Sequence, residues 1–427
     1  MNWRTTTAVL CLYGAIKEFR PATPFLTPFL VSGEKNLTLD DVYSQVYPYW
    51  TYSYMIALIP MFILTDILRY KPIILIEAFG LVTTWLLLVF GQGILQMQLM
   101  QISFGISSAA EIAYYSYIYS IVDQKHYKKA TSYVRTSALF GKLLAFGLGQ
   151  LLISTHSSNY LVLNQISLGA CCLVIVIAIF LPKVKSRKSM IQVSTTRATE
   201  EQGETSSLMI QQESPSKPPS YVKEYFKKTK EDLKVCSKNR ELLKWSIWWA
   251  LASCGMYQVQ NYMQSLWREM QTDPDNVANG MVELSNTLLG TILSFLIQYL
   301  SINWAHHGQA VLTITSLLVA GLLYLCSTTT IVLVAYVSYI VISSIYHMLI
   351  TAATANVAHE IGSSNHGLIF GCNTFVAVFL QTILTLVVVD SHFLHFDIRT
   401  QFVIYSGYFG VVSLIFALFW VVSKISK

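Results

Sequence analysis

The chain has 427 residues, of which 53% are hydrophobic and only 12% are charged, and its mean hydropathy is +0.48. About a quarter of the residues of a soluble domain are charged, so the composition excludes an ordinary water-soluble fold, and it also excludes disordered, collagen-like and disulfide-rich chains. The net charge of +6 is carried by one segment between residues 183 and 244, so it favours membrane topology over a nucleic-acid partner.

Twelve apolar runs follow one another along the chain, six on each side of a polar segment. A helix that spans a bilayer needs about 20 apolar residues. We therefore predict an all-α membrane protein with twelve transmembrane helices. The runs cover residues 7–30, 48–68, 72–90, 94–121, 131–154 and 160–182, and then 244–264, 280–301, 308–327, 330–350, 364–388 and 400–423.

The arrangement predicts two six-helix bundles, over residues 1–182 and 244–427, joined by a linker over residues 183–243. The linker is rich in Ser, Thr, Gln, Glu and Lys, so it contains too little apolar surface to offset the entropy of ordering. We expect most of it to be disordered, with a surface helix on the membrane over residues 221–244. Two halves around a long central loop are typical of secondary transporters.

Basic loop residues predict the orientation of the chain in the membrane. Arg69 and Lys71 follow the second run, and Lys125 and Lys128 follow the fourth. These loops lie on the same side as the central segment, which predicts a cytoplasmic location for them and for both termini. Asn36 begins the only N-glycosylation sequon and falls on the opposite, external side. No cleavable signal peptide is recognisable.

Several motifs of other function classes are absent from the sequence. There is no phosphate-binding glycine loop followed by lysine, which argues against an ATP-driven pump, and no hydrolase or zinc-protease motif, which argues against an enzyme. The spacing of the seven cysteines predicts neither a metal site nor a disulfide framework. We therefore expect no cofactor. Asp66, Arg69 and Lys71 form a charged turn after the second run and are candidate gating residues.

Ionisable residues within spans are costly and are therefore candidates for a substrate pathway. Arg20 precedes a proline-broken stretch, whose free backbone groups must face protein or water. Glu111 and Lys142 lie within the fourth and fifth runs, and they are candidates for transport chemistry or for pairing with each other. His347, beside Tyr346, is a candidate proton sensor or a satisfied core histidine.

Three further charges have alternative interpretations. Lys17 and Glu18, near the end of the helical part of the first run, are candidates for the cavity or for snorkelling to the membrane interface. Glu77 in the third run is more simply explained as the partner of a neighbouring cation. Aromatic groups at residues 43–54 and 114–119 suit a flat charged heterocycle, although interfacial belts explain many of them.

The sequence resembles the reduced folate carrier and thiamine transporter family over nearly its whole length, except the central loop. The resemblance is carried by Arg20–Leu30, Lys35–Thr38, Trp50–Tyr54, Ala109–Ser120 and Phe370–Phe375. It implies a plasma-membrane carrier of a water-soluble vitamin with the major facilitator fold, held in the lipid bilayer.

The resemblance leaves the substrate open between folate and thiamine. Glu111 and Gln381 match the thiamine transporters, where folate carriers have cations. The thiamine transporters also have carboxylates at the positions of Thr23 and Gln101, and neither is present here. Trp50 and Asn279 match the thiamine transporters. Those transporters have a tyrosine at the position of Phe104 and a phenylalanine at the position of Tyr47.

Lys142 and His347 add positive character that the family pattern lacks, which favours the anionic vitamin folate over thiamine. The alternative to a transporter is a receptor that binds the vitamin without moving it across the membrane. The sequence does not identify the ion that drives transport. We predict alternating access around a midplane site. The predicted substrate-binding residues are Arg20, Tyr47, Trp50, Gln101, Phe104, Glu111, Tyr114, Lys142, Asn279, Tyr346, His347 and Gln381.

Overall fold

The computed structural model describes residues 3–68, 70–121, 127–181, 239–271, 277–296, 304–361 and 366–425, and within these ranges the regular structure is helical. Most of the predicted linker and surface helix therefore lies outside the described residues. The first half contains α1 (Trp3–Glu18), a 3-10 turn (Thr23–Phe25), α2 (Leu26–Val31), a π-helical turn (Asp41–Val46), α3 (Pro48–Leu68), α4 (Lys71–Phe90), α5 (Gly93–Ile121), α6 (Tyr127–Ser154) and α7 (Tyr160–Phe180).

The second half contains six long helices at the positions of the predicted runs. The largest difference is at the fourth of them, which continues past the predicted end at residue 350. These helices are α8 (Arg240–Met270), α9 (Asn279–Leu296), α10 (Trp304–Thr328), α11 (Val332–Ile361), α12 (His366–Val388) and α13 (Ile398–Ile425).

The outer surface of the helices is apolar. Within the described residues, seven helices are long and apolar enough to cross a membrane. Ile56, Phe90, Phe180 and Leu414 are each at least 65% exposed. Such side chains are stable facing lipid, where the backbone hydrogen bonds of a helix are already satisfied internally. The protein is therefore a multi-pass membrane protein.

Prolines break the first span near its middle, as the sequence predicts. Proline lacks an N–H group and clashes with the preceding turn, so α1 ends at Glu18 and the 3-10 turn begins after Pro21. The Ala22 N–H donates instead to the hydroxyl of Ser167 at 3.2 Å. The break leaves Glu18 and Arg20 at a helix end inside the bundle, where their side chains can face a cavity.

Small residues bring α6 close to the broken span. A Cβ atom on Gly141 would collide with the Ala15 carbonyl group, and one on Gly149 would lie 2.6 Å from the Pro21 carbonyl oxygen. Glycine permits this close approach of helix backbones in membranes. Because Lys142 follows Gly141, the contact places the lysine beside the end of α1.

Hydrogen bonds join the two halves at the end of the bundle opposite the N-terminus. Tyr52 of α3 donates to Asp390 at 2.6 Å, and Asn279 of α9 donates to the Pro24 carbonyl oxygen at 3.1 Å. We call these two bonds the gate contacts. Burial would raise the pKa of Asp390, but hydrogen bonds from Tyr52 and His392 outweigh it and lower that pKa. Asp390 is thereby favoured as a charged acceptor.

Candidate functional site

A cavity of about 690 Å³ lies between the two halves. Arg135 is exposed, and the side chain of Lys142 is 39% exposed, so the cavity is open at the end opposite the gate contacts. Its volume is within the range of small-molecule sites. The lining residues are Lys17, Glu18, Arg20, Glu77, Leu81, Phe104, Ser107, Ser108, Glu111, Tyr115, Arg135, Ala138, Leu139, Lys142, Tyr257, Tyr346, His347 and Ile350.

One wall of the cavity is a buried ion cluster centred on Lys17. The Lys17 Nζ atom lies 3.0 Å from Glu77 Oε1 and 2.7 Å from Glu111 Oε1. Tyr13 donates a further hydrogen bond to Glu77 at 2.9 Å, and Lys17 lies 4.6 Å from the ring centroid of Tyr114. The side chains of Lys17 and Glu77 are each only 3% exposed. This cluster holds α1, α4 and α5 together.

A second charged group faces the open part of the cavity. Glu18 accepts a hydrogen bond from Arg20 at 2.9 Å and lies 3.6 Å from Lys142 Nζ. The Arg20 guanidinium lies 5.9 Å from the ring centroid of Phe104, and within the described residues its Nε atom has no hydrogen-bond partner. Arg20 and Lys142 therefore share one carboxylate and retain donors for a ligand.

The lining charges leave the cavity positive. Of its described residues, four are cations and three are carboxylates when all are ionised. Glu77 and Glu111 are both bound to Lys17, and Glu18 is shared between Arg20 and Lys142. Electrostatic interactions are stronger in a partly enclosed site than in bulk water. The arrangement is therefore suited to an anionic ligand.

Six of the predicted binding residues line this cavity: Arg20, Phe104, Glu111, Lys142, Tyr346 and His347. The two from α11 define its far wall. The hydroxyl group of Tyr346 lies 2.9 Å from that of Ser253, and the His347 ring packs against Gly290 of α9, where an added Cβ would lie 3.0 Å from it.

Trp50 and Tyr47 lie outside the first layer around the cavity. Trp50 donates to Ser108 at 3.2 Å and stacks on Phe104 with ring centroids 6.4 Å apart. It therefore supports two residues that line the cavity. Tyr47 is 3% exposed, and its hydroxyl group bonds to Thr27 at 2.5 Å.

The other predicted residues are buried in contacts between helices. Asn279 forms a gate contact and also accepts from Tyr336 at 2.9 Å. Gln381 is fully buried, with its Nε2 atom 3.5 Å from the Thr51 hydroxyl group. Gln101 is 4% exposed, and Tyr114 donates to the Leu10 carbonyl group. These residues position helices in the conformation described.

Of the two roles considered for Glu111 and Lys142, the alternative that they pair with each other is wrong. Glu111 binds Lys17, and the carboxylate nearest to Lys142 is that of Glu18. The reason is the close approach of α6 to the end of α1 at Gly141. Lys17 and Glu18 are also buried rather than snorkelling, at 2% and 8% exposure.

Sequence reasoning missed Arg135 and Tyr257 as lining residues, whereas Tyr115 belongs to the aromatic group at residues 114–119 that it singled out. In the sequence, Arg135 follows the basic loop residues Lys125 and Lys128 and was grouped with them. In the structure it belongs to α6. It faces the same cavity opening as Lys142, which comes seven residues later in the helix. That spacing is two helical turns and was the available signal. Glu77 is the partner of a neighbouring cation, as expected.

The predicted gating turn lies partly outside the described residues, which exclude Arg69 and the side chain of Asp66. Lys71 donates to the carbonyl groups of Ile179 and Leu181, both at 2.6 Å. A cation at this position complements the negative C-terminal end of α7. Asn36 is exposed in the loop after α2.

Solved structures of transporters have the same fold. The chain matches the POT family transporter PepTSo with a TM-score of 0.67 over 100% of both chains, at 12% sequence identity. It matches a D-xylose-proton symporter with a TM-score of 0.64 over 97% of both chains, also at 12% identity. The similarity confirms the predicted major facilitator fold.

Sequence comparisons identify the family. Folate transporter 1 of Caenorhabditis elegans is 71% identical over 100% of this chain and 94% of its own length. Thiamine transporter 1 of Mus musculus is 40% identical over 100% of this chain and 91% of its own length. The reduced folate carrier model matches residues 1–404. The chain is therefore a membrane transporter, not an enzyme, and it belongs to the reduced folate carrier family.

Proposed function

We propose that this protein is a plasma-membrane carrier that moves folate by alternating access. The observation that carries the proposal is the excess of cations in the cavity, with Arg20 and Lys142 sharing a single carboxylate. Folate carries two carboxylates, which such cations attract. The 71% identity to a protein named as a folate transporter supports the same substrate class.

The proposed mode of binding divides folate between two walls of the cavity. Lys142 and Arg20 hold the carboxylates, because charge-assisted hydrogen bonds are roughly twice as strong as neutral ones. The flat pterin ring stacks on Phe104, which Trp50 supports from behind. Glu111 fixes Lys17 in place, and Tyr346 and His347 close the far wall.

The proposed movement is a rocking of the N-terminal bundle (1–182) against the C-terminal bundle (244–427), connected by the linker at 183–243. The gate contacts close one end while the cavity is open at the other. Lys71 and Arg135 lie at the open end, which we assign to the cytoplasm by the positive-inside rule. Both termini are then cytoplasmic, and Asn36 faces outward as a glycosylation site.

Thiamine is the alternative substrate, because a relative that is 40% identical is named as a thiamine transporter. Glu111 is the carboxylate that favours this cation. However, Glu111 lies 2.7 Å from Lys17, which neutralises it, and Thr23 and Gln101 supply no carboxylate. The geometry therefore supports folate better.

A transporter and a non-transporting receptor are distinguished by measuring folate binding and folate flux on the same protein preparation. We expect the purified protein to bind labelled folate and, in lipid vesicles, to exchange it for internal unlabelled folate. Protein-free vesicles are the control. Binding without exchange would contradict the carrier proposal and indicate a receptor.

A further inference from the structure

Glu283 on α9 is a carboxylate that the proposed binding site does not use. It accepts hydrogen bonds from Tyr339 of α11 at 3.0 Å and from Asn286 at 3.3 Å. Within the part of the chain that the structure describes, no lysine, arginine or histidine nitrogen lies within 4.0 Å of it. Glu18, Glu77 and Glu111 each have such a cation.

The contacts of Glu283 suit two protonation states. An ionised carboxylate inside a membrane bundle is costly without a paired cation. Tyr339 and Asn286 donate to the ionised form. When the carboxyl group carries a proton, the Tyr339 hydroxyl can accept instead, because a phenol is both a donor and an acceptor. Neither state requires rearrangement of the helices.

Glu283 lies between the gate contacts and the cavity wall. Asn279, which forms a gate contact, is one helical turn away, and Gly290, which packs on His347, is two turns away. Opening the gate contacts would therefore expose the end of α9 next to Glu283. A proton could enter there while the opposite end of the cavity is closed.

The elements packed against α9 supply few titratable groups. Lys142 of α6 is the cation whose charge acts on Glu283. Tyr339 and His347 are on α11, and the 3-10 turn at Thr23–Phe25 carries no titratable side chain. Ionised Glu283 is therefore supported first by the hydrogen bonds from Tyr339 and Asn286, and Lys142, which we have proposed to bind the substrate, adds its positive charge to that support.

We infer that Glu283 is a proton-binding site that couples substrate movement to proton movement in the same direction. The inference rests on the proposed function. When a substrate carboxylate pairs with Lys142, that charge no longer supports ionised Glu283, and the Glu283 carboxylate takes one proton from the external solvent. After reorientation and release of the substrate, the same proton passes to the internal solvent.

The test is Glu283→Gln in lipid vesicles, with the surface variant Glu241→Gln as the control. Glutamine retains the hydrogen-bonding shape but cannot exchange a proton, so we expect folate exchange at the wild-type rate. Accumulation driven by an imposed pH gradient should be lost. A gradient of one pH unit can drive about tenfold accumulation per proton, since a tenfold ratio corresponds to about 1.4 kcal/mol.

Proton uptake on folate binding, measured in weakly buffered detergent solution, gives a second readout. We expect uptake by the wild type and by Glu283→Asp, but not by Glu283→Gln. Unchanged accumulation in Glu283→Gln, or loss of folate exchange by that variant when it is folded and inserted, would overturn this inference alone. Absence of folate exchange by the wild type would overturn the proposed function, and the inference with it.

Discussion

Replacement of Lys142 by alanine should lower folate uptake at subsaturating folate by about tenfold or more, while leaving the protein folded and at the cell surface. Lys142 is 39% exposed in the cavity and lies 3.6 Å from Glu18, so its removal leaves Glu18 bound to Arg20. A lost charge-assisted hydrogen bond costs about 1.5 to 3 kcal/mol. We expect the folate affinity to fall by about tenfold or more.

The measurement is labelled-folate uptake normalised to surface protein, with two control variants. Lys142→Arg retains the charge and should retain most uptake, although the two side chains differ in geometry. Lys244→Ala removes a surface cation that pairs with Glu241, and such pairs contribute little. Uptake by Lys142→Ala at the wild-type affinity would show that the carboxylates are bound elsewhere.

Replacement of Lys17 by methionine should have a different effect, namely loss of folded protein. Lys17 is 2% exposed and binds both Glu77 and Glu111. Without it, the Glu77 carboxylate is a buried charge that keeps the hydrogen bond from Tyr13 but loses its cation. Breaking a buried pair by removing one partner costs about 3 to 5 kcal/mol, which is a large part of the stability of a typical domain.

The double variant Lys17→Met/Glu77→Gln is the matched control, because it removes the stranded charge together with its partner. We expect it to recover much of the melting temperature in detergent. Glu111→Gln should be milder than Lys17→Met, since the Glu111 side chain is 37% exposed and Lys17 retains Glu77. A Lys17→Met protein as stable as the wild type would refute the structural role of the cluster.

Much of the fold could be predicted from the sequence, because hydropathy and proline have local effects. Apolar runs indicated the helices, and Pro21 and Pro24 indicated the break in the first span. The ends of helices were less predictable. α11 continues to Ile361 because its polar end still packs within the protein, with Val357 fully buried.

The pairing of charges could not be predicted in the same way. Lys17 and Glu77 are 60 residues apart, and Lys17 and Glu111 are 94 apart. Which helix faces each charge depends on helix rotation and on close contacts such as that of Gly141 with Ala15. The sequence indicated that Glu111 and Lys142 were important, but their partners required the tertiary structure.

The resemblance to the family indicated residues from two different layers. Phe104 and Glu111 line the cavity, whereas Trp50 lies behind Phe104. Gln381 and Asn279 lie in helix contacts of this conformation. A transporter that alternates between conformations can bring such residues into and out of its binding site, so one conformation shows only part of the set.

The central claim is that the positive cavity selects folate over thiamine. The most direct test is uptake of labelled folate and labelled thiamine, in parallel, by cells that lack endogenous carriers for both vitamins and express this protein. We predict folate uptake that excess unlabelled folate blocks and excess thiamine does not. Uptake of thiamine alone would contradict the account and would mean that Glu111, despite its contact with Lys17, determines the substrate.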